Sequence, residues 1–425
     1  MNSYLSKHAF CSTHIHADVE KDLFLVVVIP CYNESRLVRT LQSLADCHET
    51  KRPVDVIIVI NSGESDDSAV LNQNLKTMME AEAFIRAFQK NQLRTGQISF
   101  HPILIKNLPS RHAGVGLARK IGMDEAVRRL EDAKNPEGVI VCLDADCTVD
   151  KNYLTEIESH FLKNHRCNGC SVYFEHPLEG DEFPDSIYRC IINYELFLRY
   201  YRMGLEFSGF PYPFYTIGSC MAVKNRIYRK QGGMNRRKAG EDFYFLHKIF
   251  PLGNFDALNS TRVIPSPRAS DRVPFGTGRA QQKFMNNAPA SNLTYNARSF
   301  IDLKILFNAA PAFYSSSAIQ VSNMLNRFPE SIKTFLTKVD FERKLNEVRT
   351  HCSSQRAFTK RFFNWVDGFM VLKFIHHARD NFYPQQPIPD AAKELLNLSR
   401  IAFPETATSK SLLMIYRSLE REKSG

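Results

Sequence analysis

The sequence predicts an α/β fold with a largely parallel sheet, followed by a mainly helical C-terminal region. In the first half, short runs rich in β-branched residues alternate with longer stretches of helical periodicity, which is the pattern of strands joined by crossover helices. Beyond about residue 285, apolar residues recur mainly at helical spacing. The length of 425 residues also exceeds what one hydrophobic core usually serves. We therefore expect a larger α/β domain and a smaller helical one.

The individual elements follow from these runs in chain order. Strands are expected at residues 23–30, 54–61, 100–105 and 138–143. Helices are expected between them at residues 34–46, 66–91 and 114–132. From about residue 165, mixed strands and short helices are expected to complete the sheet. In the C-terminal region, helices are expected at residues 296–308, 317–326, 329–348, 355–378 and 389–402.

Composition indicates a globular, cytoplasmic protein. Hydrophobic residues make up 44% of the chain and charged residues 24%, close to the averages of globular proteins. No stretch approaches the ~20 apolar residues of a membrane-spanning helix, and the N-terminus lacks the basic and apolar blocks of a secretion signal. Ten cysteines in a chain of this length do not form a dense disulfide framework, so we expect reduced thiols.

The net charge of +10 is compatible with nucleic acid, an anionic membrane surface or anionic substrates as partners. Four arginines gather in one Pro- and Gly-rich stretch instead of along a helix face: Arg262, Arg268, Arg272 and Arg279. Because guanidinium groups pair well with phosphate oxygens, this cluster suits local phosphate binding better than a nucleic-acid surface. We expect no nucleic-acid partner.

Polar side chains directly follow three of the predicted strands. The three segments contain Pro30, Tyr32, Asn33 and Glu34, then Asn61, and finally Asp144 and Asp146. In an open parallel sheet, ligands bind beyond the carboxyl ends of the strands. The three strand ends therefore point to one site.

Asp144 and Asp146 are two residues apart just after an apolar strand, so both carboxylates can point to the same side of the extended chain. Mg²⁺ and Mn²⁺ prefer oxygen ligands of this kind, together with substrate phosphates. The pair therefore predicts a site for Mn²⁺ or Mg²⁺ beside a diphosphate. The alternative is a pair of solvated turn residues, since Asp accommodates turn geometry.

Three motifs in this order resemble the inverting family 2 glycosyltransferases of the GT-A fold: VVVIPCYNE near the start, LDAD at residues 143–146 and AGEDF at residues 239–243. The resemblance covers residues 22–285. It implies a Rossmann-like nucleotide-diphospho-sugar transferase domain that moves a sugar, with inversion and with metal assistance, to an acceptor hydroxyl. The processive synthases of this superfamily carry a Gln-x-x-Arg-Trp motif, which is absent here, so a single addition is expected.

The resemblance also implies roles for the residues at the strand ends. Pro30, Tyr32 and Glu34 are expected to contact the nucleoside, with Asn33 beside them. Asp144 is expected to hold the sugar nucleotide and Asp146 to ligate the metal, while Arg119 contacts the nucleotide or donor. Family members often carry two aspartates where this chain has Asn61 and Ser62. An amide still hydrogen-bonds a pyrimidine edge, so a UDP-sugar remains the expected donor and the departure concerns the base more than the fold.

Asp242 is the expected catalytic base, with Glu241 as its partner. Both precede the apolar run FYFLHKIF, so they lie at the N-terminus of a predicted helix, where the dipole favours anions. On composition alone, ordinary helix capping is the favoured explanation of the two carboxylates. The resemblance favours Asp242 as the base.

Small residues on the expected acceptor side are Gly218, Ser219 and Gly233. Backbone can approach a sugar closely where side chains are small, although tight turns explain the glycines as well. We expect a carbohydrate or a lipid-linked acceptor, as in the synthesis of a cell-envelope polysaccharide or a glycolipid.

Arg268 and Arg272 lie in the Pro- and Gly-rich stretch after the predicted last strand, where we expect a loop that closes over the diphosphate. A solvated linker between domains is the alternative.

Cys167 and Cys170 have zinc-like spacing, but no second Cys or His pair accompanies them, so we interpret them as core cysteines.

The expected organisation is an N-terminal extension at residues 1–21, a glycosyltransferase domain at 22–285 and a helical region at 286–425. Three roles are open for the helical region: dimerisation, capping of the active site, and peripheral contact with the inner face of the cell membrane. A nucleotide-sugar-binding or scaffold protein of the same fold that has lost turnover is the alternative function.

Overall fold

The computed structural model describes residues 3–91, 97–268 and 292–422. Within these ranges the chain forms two compact units. The first contains residues up to 180 and those from 216 to 268, and the second contains residues 181–215 and 292–422. The boundary expected at residue 285 lies outside the described residues, and residues 181–215 lie inside the range that the sequence predicts as one domain.

The first unit contains a mixed sheet of eight strands among the described residues: β1 Leu25–Cys31, β2 Val54–Gly63, β3 Ile98–Leu108, β4 Val139–Cys142, β5 Thr148–Val149, β6 Gly169–Phe174, β7 Met221–Lys224 and β8 Phe255–Ile264. The strand order is β3-β2-β1-β4-β7-β6-β8-β5. The first four strands in this order are parallel, and β7 is antiparallel to both of its neighbours. All four strands predicted for the first half are present, and the α/β fold class is confirmed.

The helices of this unit are α1 Ser3–His8, α2 Leu37–Ala45, α3 Ser68–Asn91, α4 Val115–Asp132, α5 Tyr153–Lys163, α7 Asn225–Lys230 and α8 Glu241–Ile249, and α6 Asp185–Phe207 belongs to the second unit. Every residue of β1, β2 and β4 is buried. Strands covered on both faces read as continuous apolar runs, which explains why the sequence locates them well. The α4 helix packs against β1 and β2.

The second unit is mainly helical, with α9 Arg298–Ala309, α10 Ala318–Asn326, α11 Glu330–Lys338, α12 Phe341–Thr350, α13 Gln355–Trp365, α14 Gly368–Asn381, α15 Ile388–Leu398 and α16 Ser409–Arg421. The short strands β9 Leu293–Thr294 and β10 Gln386–Pro387 pair with each other. The α6 helix packs against α15 and α16. Among the described residues, none of the helices is both long enough and apolar enough to cross a bilayer.

Two single helices expected in this unit are each broken into a pair. The segment at 329–348 breaks at Asp340, whose φ of 53° is left-handed. The segment at 355–378 breaks before Asp367, whose side chain caps α14 by accepting the N–H of Met370. The side-chain pattern continues across both breaks, so periodicity alone does not reveal them.

Candidate active site

The carboxyl ends of β1, β2 and β4 lie side by side at one edge of the sheet. Cys31 pairs with Ile60, and Val28 pairs with Cys142. The polar segments that follow these strands therefore start at the same edge, as the sequence predicts. Pro30 itself is a buried residue of β1.

Arg119, on α4, joins two carboxylates at this edge. Its side chain is 2% exposed. Nη2 donates to Oδ1 of Asp144 at 2.7 Å, and Nη1 donates to Oε1 of Glu241. Burial opposes the guanidinium charge, but the acidic groups around it, with Asp144 and Asp242 among them, together outweigh burial, so the pKa of Arg119 is raised and the side chain stays charged. One buried cation thus links the strand-end aspartate to the start of α8.

Gly218 lies directly against the Arg119 guanidinium. A Cβ at Gly218 would lie 2.6 Å from Nη2 of Arg119, so a larger residue would displace the arginine. The next residue, Ser219, is buried, with its Oγ 3.5 Å from Sγ of Cys220. Two of the three residues expected on the acceptor side, Gly218 and Ser219, therefore lie in the packed segment that precedes β7.

Asp242 is half-buried in the first turn of α8. Its Oδ1 accepts the N–H of Phe243 at 2.7 Å, and the N–H of Gly218 also donates to the carboxylate. Burial raises the pKa of Asp242, Asp144 raises it further, and Arg119 opposes the rise. The N-cap of α8 is Gly240, which has no side chain to cap the helix.

Arg268 connects the first and fourth strand ends. Nη1 donates to Oε1 of Glu34 at 3.3 Å, and Nη2 pairs with the second oxygen of the same carboxylate. Nη2 also lies 2.9 Å from Oδ2 of Asp146. Burial, together with the nearby charges of Asp144 and Glu34, raises the pKa of Asp146 to about 6, and Arg268 opposes this rise. Arg272 lies outside the described residues.

On the side expected for the nucleoside, Tyr32 pairs with an aspartate that the sequence did not single out. The hydroxyl of Tyr32 donates to Oδ1 of Asp66 at 3.0 Å, and Oδ2 of Asp66 accepts the N–H of Gly63 at 2.7 Å. Burial and the Asp66 contact raise the pKa of Tyr32 to about 12, so its hydroxyl stays protonated. The acidic run after β2, which includes Asp66, was the available signal.

A second residue that the sequence did not single out is Asn74, on α3. Its Oδ1 accepts the N–H of Asn33 at 2.9 Å, and its Nδ2 donates to the carbonyl of Asn61 at 2.8 Å. Asn74 thereby fixes the segments after β1 and β2 to each other. No local motif marks this residue, because its partners come from two other elements.

Gly233, the third residue expected on the acceptor side, contacts tyrosines of α1 and α7 in the structure. It adopts a left-handed φ of 73° and packs against Tyr4 and Tyr228, and a Cβ there would collide with the Tyr4 hydroxyl. The Tyr4 hydroxyl donates to Asp124, which anchors α1 to α4. The small size of Gly233 thus serves the packing of α1 in this structure.

Residues 26–232 match the model of the family described as glycosyl transferase family 2. A comparison with curated protein sequences found no match.

Solved structures to which this chain is similar include two forms of TarS from S. aureus and a mannosyltransferase. TarS 1-349 in complex with UDP-GlcNAc has 11% identity and a TM-score of 0.38, covering 81% of this chain and 91% of that chain. A longer form of TarS has 12% identity and a TM-score of 0.36, and the match covers 81% of this chain and 55% of that chain. Mannosyltransferase PcManGT from Pyrobaculum calidifontis, in complex with GDP-Man and Mn²⁺, has 12% identity and a TM-score of 0.36, covering 98% and 92%.

The family match spans β1 to β7 and includes Arg119, Asp144 and the strand ends described above. The chain therefore carries a glycosyltransferase domain of family 2.

Proposed function

We propose that this chain transfers a single sugar from a nucleotide diphosphate donor to an acceptor hydroxyl with inversion. The observation that carries the proposal is the link through Arg119, which contacts Asp144 at a strand end and Glu241 beside Asp242. One buried cation thereby joins a donor-side carboxylate to the residue next to the candidate base. A displacement needs fixed positions of this kind, because the attacking and leaving groups must lie on opposite sides of one carbon.

Asp242 is the proposed base. As the acceptor oxygen attacks the anomeric carbon, its proton passes to the Asp242 carboxylate. The new carbon–oxygen bond forms while the bond to the diphosphate breaks, and the diphosphate leaves with the electron pair. A raised pKa makes Asp242 a stronger base than an exposed aspartate. Arg119 and the two backbone N–H groups oppose the rise, which favours the ionised form needed to accept the proton.

The donor set at the strand end fits a divalent cation. Asp144 and Asp146 offer carboxylate oxygens, and their side chains are 40% and 23% exposed. Hard cations such as Mn²⁺ and Mg²⁺ prefer such oxygens. A cation held by Asp146 and Asp144 would supply neutralisation of the charge that builds on the leaving diphosphate.

Arg268 would add a second positive charge at the diphosphate. It already spans Glu34 and Asp146, and guanidinium groups also pair bidentately with phosphate oxygens. Donor binding therefore exchanges a contact with protein carboxylates for one with phosphate. Arg272, in the same stretch, is proposed as its partner.

The nucleoside is proposed to lie beside Tyr32, Asn33, Glu34 and Asn61. The Asn74 bridge fixes the segments after β1 and β2 before any ligand binds, and the Asp66 contact orients the ring of Tyr32. A uridine base is the proposed ligand, since an amide can pair with a pyrimidine edge. Gly218 and Ser219 are proposed to border the acceptor, and Gly233 stays a prediction from sequence.

A panel of nucleotide sugars tests this function directly. Each donor is incubated with the full chain, Mn²⁺ and a set of glycosides and lipid-linked sugars, and mass spectrometry follows the products. We expect transfer from one donor class, lost on chelation and in Asp146→Asn. The exposed first-turn residue Asp390 provides the control variant Asp390→Asn, expected to retain full activity. Nucleotide-sugar binding without any product would favour the scaffold alternative.

A further inference from the structure

A histidine, a cysteine and an aspartate come together in the first unit, away from the candidate active site. His160 is in the last turn of α5, Cys167 precedes β6, and Asp256 is the second residue of β8. One ligand atom from each lies within 4.8 Å of the others. Nε2 of His160 is 3.2 Å from Oδ2 of Asp256.

This cluster lies at the amino ends of the strands, and the strand-end carboxylates Asp144 and Asp146 lie at the carboxyl ends, on the opposite side of the same sheet. The β6 and β8 strands are parallel and pair Gly169 with Phe255 at their amino ends. Because β7 is antiparallel to both β4 and β6, the β6 strand runs in the same direction as β4. The amino ends of β6 and β8 are therefore remote from the carboxyl end of β4, where Asp144 and Asp146 lie.

His160 has a nitrogen that lacks a hydrogen bond of normal geometry. Its Nε2 is buried and unsatisfied among the described residues, although Oδ2 of Asp256 is near. A buried nitrogen whose nearest acceptor is not aligned for a hydrogen bond is uncommon and requires an explanation. Two zinc ligands at ~2.0 Å from a tetrahedral ion lie about 3.3 Å apart, which matches the spacing of these two atoms.

The loop that carries the cysteine is fixed by its own hydrogen bonds. The N–H of Cys167 donates to the carbonyl of Asn164 at 3.0 Å, and the N–H of Asn168 donates to the carbonyl of Asn254 at 2.7 Å. Nδ2 of Asn164 donates to Oδ2 of Asp256 at 2.8 Å. Outer hydrogen bonds of this kind orient carboxylate ligands in metal sites.

We propose that His160, Cys167 and Asp256 bind a zinc ion, with water as the fourth ligand. Thiolate, imidazole and carboxylate are the ligands that Zn²⁺ uses in proteins, whereas Mn²⁺ and Mg²⁺ prefer oxygen ligands and do not favour thiolate. The side chains of His160 and Asp256 are 18% and 34% exposed, which gives an ion access from solvent and leaves room for water. The thiol of Cys167 donates to the carbonyl of Gly169 at 3.3 Å, a contact that zinc would replace.

The ion would tie α5, the loop before β6 and the start of β8 together. The proposed role is structural, because one ion would join three separate elements of the first unit. The sequence alone supplied only the Cys167 and Cys170 spacing, and the two further ligands come from positions 160 and 256. The proposal does not depend on the glycosyltransferase function.

Cobalt titration of the metal-free full chain tests the proposal, because thiolate bound to Co²⁺ gives a charge-transfer absorption in the near ultraviolet. We expect this band to saturate at one equivalent, to disappear on zinc addition, and to be absent in Cys167→Ser. The half-buried Cys190 provides the control, and Cys190→Ser is expected to retain the band. Asp146→Asn is expected to retain it as well, which separates this site from the strand-end carboxylates.

A second variant keeps the test decisive if Cys167→Ser does not fold. His160→Gln changes a partly exposed side chain, and we expect it to weaken zinc binding by at least about tenfold in a competition assay. We also expect zinc to raise the melting temperature of the parent chain but not of His160→Gln. No thiolate band at stoichiometric cobalt, or a band that persists in Cys167→Ser, would overturn the proposal and leave an ion pair beside a core cysteine.

Discussion

Nη2 of Arg119 donates to Oδ1 of Asp144 across 2.7 Å, inside a site where the arginine side chain is 2% exposed. The same guanidinium reaches Glu241 at the start of α8. The pairing brings together two motifs separated by nearly a hundred residues. It also makes Arg119 a positioning residue whose loss affects both stability and transfer.

Replacing Arg119 by alanine is expected to destabilise the first unit strongly. Glu241 is 3% exposed and would be left as a buried charge without its cation, which typically costs about 3–5 kcal/mol. Urea denaturation measures the change. The control is Arg86→Ala, whose exposed pair with Glu82 on α3 is expected to contribute little. Equal stability of the two variants would contradict the buried link.

Gly218→Ala is expected to impair transfer more than folding. The added Cβ would lie 2.6 Å from Nη2 of Arg119 and shift the guanidinium away from Asp144. We expect at least a tenfold loss of kcat, equivalent to about 1.4 kcal/mol of barrier. Gly209→Ala is the control, since its Cβ meets no described atom within 4 Å, although its φ of 78° costs stability. Parental kcat in Gly218→Ala would show that the Arg119 position is not needed.

Arg268→Ala is expected to weaken donor binding by about tenfold or more, because a charge-assisted hydrogen bond contributes about 1.5–3 kcal/mol. Titration calorimetry with the nucleoside diphosphate and Mn²⁺ measures the affinity. Arg262→Ala is a matched control on β8, since Arg262 pairs with Asp150 and Glu175. Unchanged affinity in Arg268→Ala would remove this residue from the donor site.

As the pH is lowered, the rate of transfer is expected to fall at a higher pH than it would with an ordinary aspartate as the base. Burial raises the pKa of Asp242, and a base works only when ionised, so protonation removes activity as pH falls through the raised pKa. The acid limb of kcat/KM should therefore lie above the ordinary aspartate pKa of about 3.9. A limb at that ordinary value would contradict the assignment of Asp242 as the limiting group.

The raised pKa of Asp242 also affects the free energy of unfolding. A carboxyl whose folded pKa is raised binds protons more readily in the folded state, so its contribution to stability falls as pH rises through the shifted range. Ionised Asp242 is thus a cost to folding at neutral pH. Asp242→Asn is expected to have an unfolding free energy no lower than that of the parent.

The sequence was sufficient for the parts of the fold that depend on local pattern. The β1, β2 and β4 strands are buried on both faces and read as unbroken apolar runs, so their ends, with Tyr32, Asn61 and Asp144, could be placed on one edge. The family resemblance over this region is confirmed by the match to residues 26–232.

The remaining features depend on contacts between distant segments. Asp66 and Asn74 belong to the candidate site because they contact Tyr32 and Asn33. An acidic run after β2 contains Asp66, but no local motif marks Asn74. The partner of Arg119 at position 241 is 122 residues away. The helix break at Asp340 requires a left-handed backbone that apolar periodicity does not encode.

The most direct test of the central claim compares two properties of Asp242→Asn in one preparation. Calorimetry gives the affinity for the nucleoside diphosphate with Mn²⁺, and mass spectrometry gives the initial rate with the donor and acceptor identified by the panel. We expect the affinity to be retained and transfer to fall by about 10²–10⁴-fold, the usual contribution of a general base. Transfer at the parental rate would show that Asp242 is not the base.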